Sequence, residues 1–262
     1  MKHTDKNRNS RMPILFIGHG SPMNIVLDNA FTRSLAKLGR ELPRPRAILV
    51  VSAHWLTRGT YVTCTETHEQ IYDFYGFPKE LYDVRYPAPG SSADGNTIAQ
   101  NKEIRCSDEW GLDHASWAIL KHMYPAADIP VLELSLDITR PEEDHYRMAR
   151  ELAPLRVQGF LIIGSGNIVH NLRMIDYDVD APPYDWAVKF DEKVKELLLA
   201  RRHDDLIDYG KSLKDAVLAI PTNDHYLPMI SVLGMQEPSE EVVFVHESIQ
   251  HGSISMRCFR IG

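Results

Sequence analysis

Three histidines of the sequence each follow a short apolar run, and a neutral imidazole is the side chain that most often binds metals in proteins. His19 follows the run PILFI, His54 follows AILVV, and His170 comes a few residues after GFLII. If these runs are neighbouring parallel strands, their carboxyl ends meet at one edge of the sheet, where α/β proteins gather their ligand sites. A single histidine is more often structural than functional, but three at the same kind of position favour one shared site.

Two more histidines lie where a loop is predicted to meet a helix, a place where rigid backbone orients a side chain. His114 lies in WGLDHASW and His225 in TNDHYLP, and Asn223 or Asp224 is expected to cap the helix after His225. We expect both imidazoles to face the edge at which the strands end. The other seven histidines are expected to be exposed or structural: His3, His68, His122, His145, His203, His246 and His251.

The elements that must position these histidines alternate between strands and helices. Apolar runs predict strands at residues 13–17, 47–51, 61–65, 130–136 and 159–163. Helical spacing of apolar residues predicts helices at residues 28–42, 92–103, 116–123, 141–155, 184–201, 211–218 and 226–233. Two alternating runs, 242–246 and 253–260, predict final strands. This order predicts an α/β fold, a single domain with a mostly parallel central sheet, helices on both faces and an antiparallel C-terminal edge.

The composition is that of an ordinary globular protein, with 44% hydrophobic and 25% charged residues, so disorder is not expected. No repeat or linker divides the 262 residues, and we predict a polar N-terminal tail over residues 1–12 and one catalytic domain over residues 13–262. The net charge of −7 and the scattered lysines and arginines argue against nucleic-acid binding. No apolar run has membrane length and no signal peptide is recognisable, so we expect a cytoplasmic protein that binds no membrane.

The three cysteines, Cys64, Cys106 and Cys258, are odd in number and show no CxxC spacing. Because the cytosol keeps thiols reduced, we expect each of them to be a free thiol that serves as a small core or surface residue.

Residues 71–90 are predicted to form a long loop, and a loop of this length inside a compact domain is usually functional. Its aromatic side chains either line the site of a flat aromatic substrate or pack against one another: Tyr72, Phe74, Tyr75, Phe77, Tyr82 and Tyr86. Both interpretations stay open. Trp55 and Trp117 are expected to fill the core beside the histidines.

Six segments, taken in order, resemble the class III extradiol ring-cleavage dioxygenases, in particular the bacterial and plant 4,5-DOPA dioxygenase subfamily. They are GHGSPM (18–23), SAHW (52–55), GFPKELYDVRYPAPG (76–90), WGLDHASW (110–117), GSGNIVHNLR (164–173) and NDHYLP (223–228). One such segment alone is weak, but the ordered set spans nearly all of the chain after the tail.

The resemblance implies a role for each of the five histidines. His19 and His54 match metal ligands, and His225 falls where the wider superfamily has a glutamate ligand, so three histidines would hold one divalent ion per subunit. His170 matches the acid–base histidine beside the metal and is a candidate fourth ligand. His114 matches a histidine that contacts substrate or oxygen. Three residues within the same segments are expected to bind substrate: Ser21, Asp113 and Asn171.

The implied chemistry is the opening of a catechol ring with O₂, with L-DOPA or a similar small catechol as substrate. A divalent metal lowers the pKa of the catechol hydroxyls, as it does that of bound water. Fe(II) supports ring cleavage, whereas three imidazoles also suit Zn(II), which has no redox chemistry. The protein is expected to be a monomer or a small homo-oligomer.

Two other functions are compatible with the same histidines. One is a zinc-dependent hydrolase that activates water, and the other is a metal-binding or sensory module without catalysis. The second is disfavoured because a closed structural site needs neither His170 nor His114 nearby. Zinc-dependent ester or amide cleavage would distinguish the hydrolase from a dioxygenase, whose ring-opened product is yellow.

Overall fold

The computed structural model describes residues 11–262, so residues 1–10 of the predicted tail lie outside the described residues. Ten strands are found there: β1 (Ile14–Gly18), β2 (Ala47–Thr57), β3 (Thr60–Thr63), β4 (Ile104–Ser107), β5 (Val131–Asp137), β6 (Phe160–Gly166), β7 (Val242–His246), β8 (Ile249–Gln250), β9 (Ile254–Ser255) and β10 (Cys258–Ile261). The α-helices are α1 (Ala30–Glu41), α2 (Lys79–Asp83), α3 (Ser92–Ile98), α4 (His114–Met123), α5 (Glu142–Arg150), α6 (Asp185–Leu199), α7 (His203–Ile207), α8 (Tyr209–Ser212), α9 (Ala216–Ala219) and α10 (Leu227–Gly234).

Eight strands form the central sheet in the order β4-β3-β5-β2-β6-β1-β10-β7. The four central strands β5, β2, β6 and β1 run parallel to one another. On one side, β10 pairs antiparallel with β1 and with β7. On the other side, β3 and β4 are parallel to each other, and β3 is antiparallel to β5. The predicted fold class is therefore confirmed, including the antiparallel C-terminal edge.

Helices cover both faces of the sheet because successive residues of the central strands point to opposite sides. Ile48 and Val50 of β2 pack on the side of α1 and α4, whereas Leu49 and Val51 pack on the side of α5, α6 and α10. All four side chains are at most 1% exposed. The apolar runs seen in the sequence are therefore strands buried on both faces.

Helix α1 shows how a local sequence pattern sets an element. Its N-cap Asn29 and Thr32 bond to each other's backbone amides in a capping box. Phe31, Leu35 and Leu38 then recur at helical spacing and are buried against the sheet. The prediction of a helix over 28–42 is confirmed to within two residues.

Strand β2 is longer than predicted, and this changes the position of His54. The strand continues to Thr57 rather than ending at Val51, so His54 lies inside it. Pairing with β6 ends at Ser52, and the register with β5 shifts between Val51 and Leu56. His54 therefore lies in the irregular part of the strand, where the parallel ladder has already opened. The prediction that it follows the strand was wrong.

Several further predictions were wrong in their boundaries. The helix predicted over 92–103 ends at Ile98, and the strand predicted over 253–260 is divided into β9 and β10. The helix predicted over 211–218 is two short helices, α8 and α9, separated by Asp215, which has a positive φ of 65°. The predicted loop 71–90 contains helix α2, and β4 was not predicted at all. Strand β4 is short and has exposed polar residues, so its sequence lacks the apolar run that marked the other strands.

The expectation of three reduced cysteines was also wrong, because Cys64 and Cys106 form a disulfide. Cys106 lies opposite Val62 in the parallel pair β3–β4, and Cys64 follows β3, which brings their Cα atoms to 5.5 Å. They are 42 residues apart in sequence, so only the pairing of an unpredicted strand could have revealed the bond. Cys258 is a free, buried thiol, and burial raises its pKa to about 12.

No helix in residues 11–262 combines the length and the apolar character that crossing a membrane would require.

Candidate metal centre

Five histidines from distant parts of the chain lie together at the carboxyl edge of the parallel strands. The Nε2 atoms of His19 and His54 are 3.3 Å apart. The ring centroid of His225 lies 5.2 Å from that of His19 and 5.1 Å from that of His54. His114 lies 4.2 Å from His54, and His170 stacks on His225 at 3.5 Å. The structure thus brings together all five histidines that the sequence singled out.

The ends of β1 and β6 fix the relative positions of His19 and His225. The backbone amide of His19 donates to Gly166 at the end of β6, and Asn167 donates to the carbonyl oxygen of His225 at 2.8 Å. A Cβ atom on Gly166 would lie only 2.1 Å from that carbonyl oxygen. Glycine at this position therefore allows the loop that carries His225 to approach the sheet edge closely.

The hydrogen bonds of His19 and His54 determine which ring nitrogen carries the proton. Ser165 donates its only hydroxyl proton to the carbonyl of Ala115 at 2.5 Å, so it must accept from Nδ1 of His19 at 3.0 Å. Nδ1 of His54 donates to the carboxylate of Asp73 at 2.7 Å. In the neutral rings, Nε2 therefore carries a lone pair in both. Two lone pairs that face each other at 3.3 Å repel unless a cation or a proton lies between them.

His114 and His225 adopt the same tautomer. Nδ1 of His114 donates to Asp73 at 2.8 Å, and Nδ1 of His225 donates to Asp224. Their Nε2 atoms therefore also carry lone pairs, and within residues 11–262 no hydrogen bond to them is found. Orientation of an imidazole through its outer nitrogen is characteristic of metal-binding histidines. The donor set, neutral nitrogens backed by two carboxylates, fits a divalent transition-metal ion.

His170 differs from the other four because its ring makes no hydrogen bond within the described part of the chain. Its backbone is held firmly, since its amide donates to Ala219 at 2.9 Å. Its ring lies nearly parallel to that of His225, with an interplanar angle of 10°. Neither ring nitrogen is thus committed to one proton position.

Burial and mutual repulsion keep most of these imidazoles neutral. Burial, and then the neighbouring histidines, lower the pKa values of His19 and His170 well below the usual value. The pKa values of His114 and His225 are also lowered, chiefly by burial. Burial disfavours charge on His54 as well, but Asp73 and other carboxylates outweigh it and raise its pKa. A proton that enters the cluster is therefore held first by His54.

The two carboxylates stay ionised beside this cluster. Burial alone would raise the pKa of Asp73, but hydrogen bonds from His114 and His54 outweigh it and lower the pKa. The pKa of Asp224 is lowered in the same way by its bond to His225. Two negative charges therefore lie just outside the imidazoles, where they offset the charge of a divalent cation.

Two groups of three residues each have ligand atoms that lie within 4.8 Å of one another inside the group. One group is His19, His54 and His114, and the other is His170, Asp224 and His225. Tetrahedral Zn–N bonds of about 2.05 Å place two ligand nitrogens roughly 3.4 Å apart, close to the separation of 3.3 Å between His19 and His54. The predicted ligand set, His19, His54 and His225, draws on both groups. Which third imidazole binds stays a prediction.

The three predicted substrate-binding residues have structural hydrogen bonds. Ser21 accepts from the amide of Met23 and caps a 3₁₀ turn. Asp113 is fully buried, caps α4 and accepts from Ser52 at 2.6 Å. Asn171 donates to the carbonyl of Leu218 at 2.9 Å. A role for these three in substrate binding stays a prediction.

The aromatic segment 71–90 packs mainly against itself and the core. Of its side chains, Phe74 meets the histidine cluster, with its ring perpendicular to that of His114 at 5.4 Å. Tyr75, in contrast, is 92% exposed. Trp117 is fully buried and Trp55 is 4% exposed and stacks on Trp110, as expected for core residues.

The groups that orient the imidazoles were not predicted from the sequence. Asp224 was expected to cap a helix, but α10 begins at Leu227 and Asp224 binds His225 instead. Asn223 is not a cap either, since its side chain donates to Glu142. Asp73 lies in the aromatic segment with no motif of its own. In the sequence, the one indication of such an orienting group is that Asp224 immediately precedes His225.

The chain is similar to known proteins over nearly its whole length. Residues 12–256 match the family described as the catalytic LigB subunit of aromatic ring-opening dioxygenase. It is 47% identical over 261 residues to a 4,5-DOPA dioxygenase extradiol of Escherichia coli (strain K12), covering 97% of this chain and 96% of that protein. It is 34% identical to the Beta vulgaris protein of the same name, covering 94% of each. A crystal structure of an uncharacterized protein from Escherichia coli K12 superimposes with a TM-score of 0.84 at 45% identity, covering 96% of this chain and 100% of that one.

Proposed function

Because the chain belongs to the LigB family of aromatic ring-opening dioxygenases, we propose that it opens the ring of a small catechol with O₂, cleaving L-DOPA at the 4,5 position. It is an extradiol ring-opening dioxygenase, and the resemblance inferred from the six sequence segments is confirmed. Three relatives from plants carry the name 4,5-DOPA dioxygenase extradiol, which supports L-DOPA as the substrate. The observation that carries the proposal is the convergence of neutral imidazoles whose lone pairs face one another.

We propose that His19, His54 and His225 hold one Fe(II) ion, with Zn(II) as an ion that the same nitrogens would accept. When bound, such an ion lowers the pKa of the catechol hydroxyls and, if it is iron, lets electron density pass from the ring to O₂. The residues of the chain contribute the rest. Asp73 and Asp224 hold the imidazoles in the binding tautomer and offset the positive charge.

His170 is the residue we propose for proton transfer. Its ring is neutral because burial lowers its pKa, and neither nitrogen is engaged by another residue among 11–262. It can therefore take a proton from a catechol hydroxyl at one nitrogen and return it to the product. Stacking on His225 keeps the ring beside the site while leaving its nitrogens available.

His114 and Phe74 are proposed to contact the substrate. His114 is only 5% exposed, and Asp73 holds its Nδ1, so its Nε2 can accept a hydrogen bond from a catechol hydroxyl. Phe74 lies against the ring of His114 and can restrict the orientation of a flat substrate. We further propose that residues 13–262 form one catalytic domain, present as a monomer or small homo-oligomer.

The test is oxygen consumption by protein loaded with Fe(II) without air and then given a panel of catechols that includes L-DOPA. We expect one O₂ consumed per catechol and a yellow ring-opened product. Zinc-loaded protein should bind the catechol without consuming O₂. If no catechol is opened but the zinc form cleaves esters or amides, the hydrolase is the correct function and the proposal fails.

A further inference from the structure

One carboxylate, that of Asp73, bonds to two imidazoles of the centre at once. Its Oδ2 accepts from Nδ1 of His54 at 2.7 Å. Its Oδ1 accepts from Nδ1 of His114 at 2.8 Å and also from the backbone amide of His114 at 3.0 Å. The side chain of Asp73 is 19% exposed, so these bonds are largely shielded from water.

We infer that Asp73 is a positioning residue whose two acceptor oxygens hold His54 and His114 in the tautomer that directs both Nε2 lone pairs into the metal centre. This rests on the proposed metal site. Only a carboxylate supplies two acceptors in this geometry, because an amide offers one acceptor and one donor. Position 73 therefore requires a side chain that carries no proton on either of its two acceptor atoms. An asparagine, which has the same shape as aspartate, does not meet this requirement.

The aromatic segment fixes the place of this carboxylate. Ile71, two residues earlier, donates its amide to Leu112 at 2.8 Å and accepts from the indole of Trp117 at 2.9 Å. Phe74, the next residue, is buried against His114. The contacts of the residues on either side of Asp73 thus hold its carboxylate between the two imidazoles.

An asparagine at position 73 should disturb one particular imidazole. The two N–H groups of His114 point at one oxygen position, so they select the amide oxygen for that side. The amide NH₂ then faces Nδ1 of His54 and can only donate. His54 must accept at Nδ1 and carry its proton at Nε2, which removes its lone pair from the centre.

Asp224 provides the matched control because it bonds to the ring of a single histidine, His225. An asparagine at position 224 can turn its amide oxygen toward His225 and leave the NH₂ group toward solvent and the hydroxyl of Thr222, which can accept as well as donate. The tautomer of His225 is then unchanged. The same chemical substitution should therefore have different effects at the two positions.

The experiment is a titration of the metal-free protein with Co²⁺, followed by visible absorption and without any catechol, for the wild type, Asp73→Asn, Asp73→Ala and Asp224→Asn. We expect Asp73→Asn to weaken Co²⁺ binding about 10- to 100-fold, the range typical for loss of a partner of a metal ligand. It should bind no better than Asp73→Ala, where water can accept from both rings. Asp224→Asn should lose less of its Co²⁺ affinity than Asp73→Asn does. If Asp73→Asn binds like the wild type, or clearly better than Asp73→Ala, the inference is wrong.

A second measurement reads the tautomer directly. Long-range ¹H–¹⁵N correlation spectra of the metal-free Asp73→Asn protein at high pH should show His54 protonated at Nε2, and those of the wild type at Nδ1. An unchanged His54 pattern in a folded variant overturns the inference. Because neither measurement involves a catechol, a failure of ring cleavage would refute the proposed function and leave this result standing.

Discussion

His170 is the one imidazole of the centre whose ring nitrogens are not engaged by the described residues, whereas the other four are oriented by an oxygen at Nδ1. This difference separates the imidazoles that could bind metal permanently from the one that can exchange protons. His170 also stacks on His225, so its ring stays close to the proposed metal centre although no hydrogen bond from the described residues fixes it.

Replacing His170 by alanine should abolish turnover while the metal is retained. General acid–base groups contribute on the order of 10²–10⁴-fold to a rate, and we expect a loss in this range for catechol cleavage. Metal content can be measured by elemental analysis and turnover by oxygen uptake. A variant that keeps the full rate, or that loses its metal, would contradict the role given to His170.

Replacing His54 by alanine should remove both metal and turnover. Its Nε2 faces that of His19 at 3.3 Å, so the variant loses a nitrogen at the closest point of the cluster. We expect metal affinity to fall by more than the roughly 10- to 100-fold that is typical when an outer partner is lost. Full metal occupancy in this variant would show that His54 is not a ligand. His68, which bonds to the carbonyl of Val131, provides a control histidine.

His19, His54 and His170 could be predicted from the sequence because they follow apolar runs whose parallel order places them at one edge, and two further histidines because they precede helices. Asp73 and Ser165 could not be predicted in the same way. Each acts on a histidine through a hydrogen bond that depends on tertiary packing, and Ser165 lies 146 residues from His19. A local sequence pattern cannot indicate a hydrogen bond between residues so far apart in the chain.

At the scale of elements, the close approach of β6 to the loop carrying His225 depends on Gly166. The Cβ of an alanine there would lie 2.1 Å from the carbonyl oxygen of His225. The loop would have to move, and its histidine with it.

Gly166→Ala should therefore lower metal affinity and destabilise the protein by about 2 kcal/mol, as expected for overpacking. Gly210→Ala is the matched control, because a Cβ there meets no atom within 4 Å. Urea denaturation and Co²⁺ titration of both variants would test this. If the two variants had the same stability and the same Co²⁺ affinity, the close contact of Gly166 with His225 would matter for neither property.

The central elements were predictable because each has a strong local pattern, such as the β-branched run of β2 or the cap and apolar spacing of α1. The elements that were missed lack such a pattern. Strand β4 exposes Arg105 and Cys106, and the division between α8 and α9 is made by a left-handed Asp215. Tertiary contacts decide these elements.

At the scale of the whole molecule, Arg156 joins segments that are distant in sequence. Its guanidinium is fully buried and donates to the carbonyls of Met12 and Met235 and to the carboxylate of Glu240. The start of β1, the residue after α10 and the loop before β7 are thereby linked. Burial raises the pKa of Glu240, but its bonds to Arg156 outweigh this and lower it.

This pair should make stability depend on pH in a definite direction. Since the folded-state pKa of Glu240 is lowered, its contribution is present above the ordinary glutamate pKa and is lost as the pH falls through the lowered value. Glu240→Gln should cost about 3 kcal/mol at pH 7, because it leaves a buried charge without its partner, and the difference from wild type should shrink in acid. Urea denaturation at several pH values would test this. A difference that grows as the pH falls would contradict the assignment.

The pairing of β1 with β10 has a consequence for how the protein is made. Ile14 lies opposite Ile261, so the strand that leads to His19 lacks one of its two neighbours until residues 258–261 have left the ribosome. A nascent chain released any earlier holds β1 only against β6, with the edge beside it open. The proposed metal centre should therefore reach its full affinity for an ion only once residues 258–261 are in place, and chains that lack them should bind Co²⁺ more weakly.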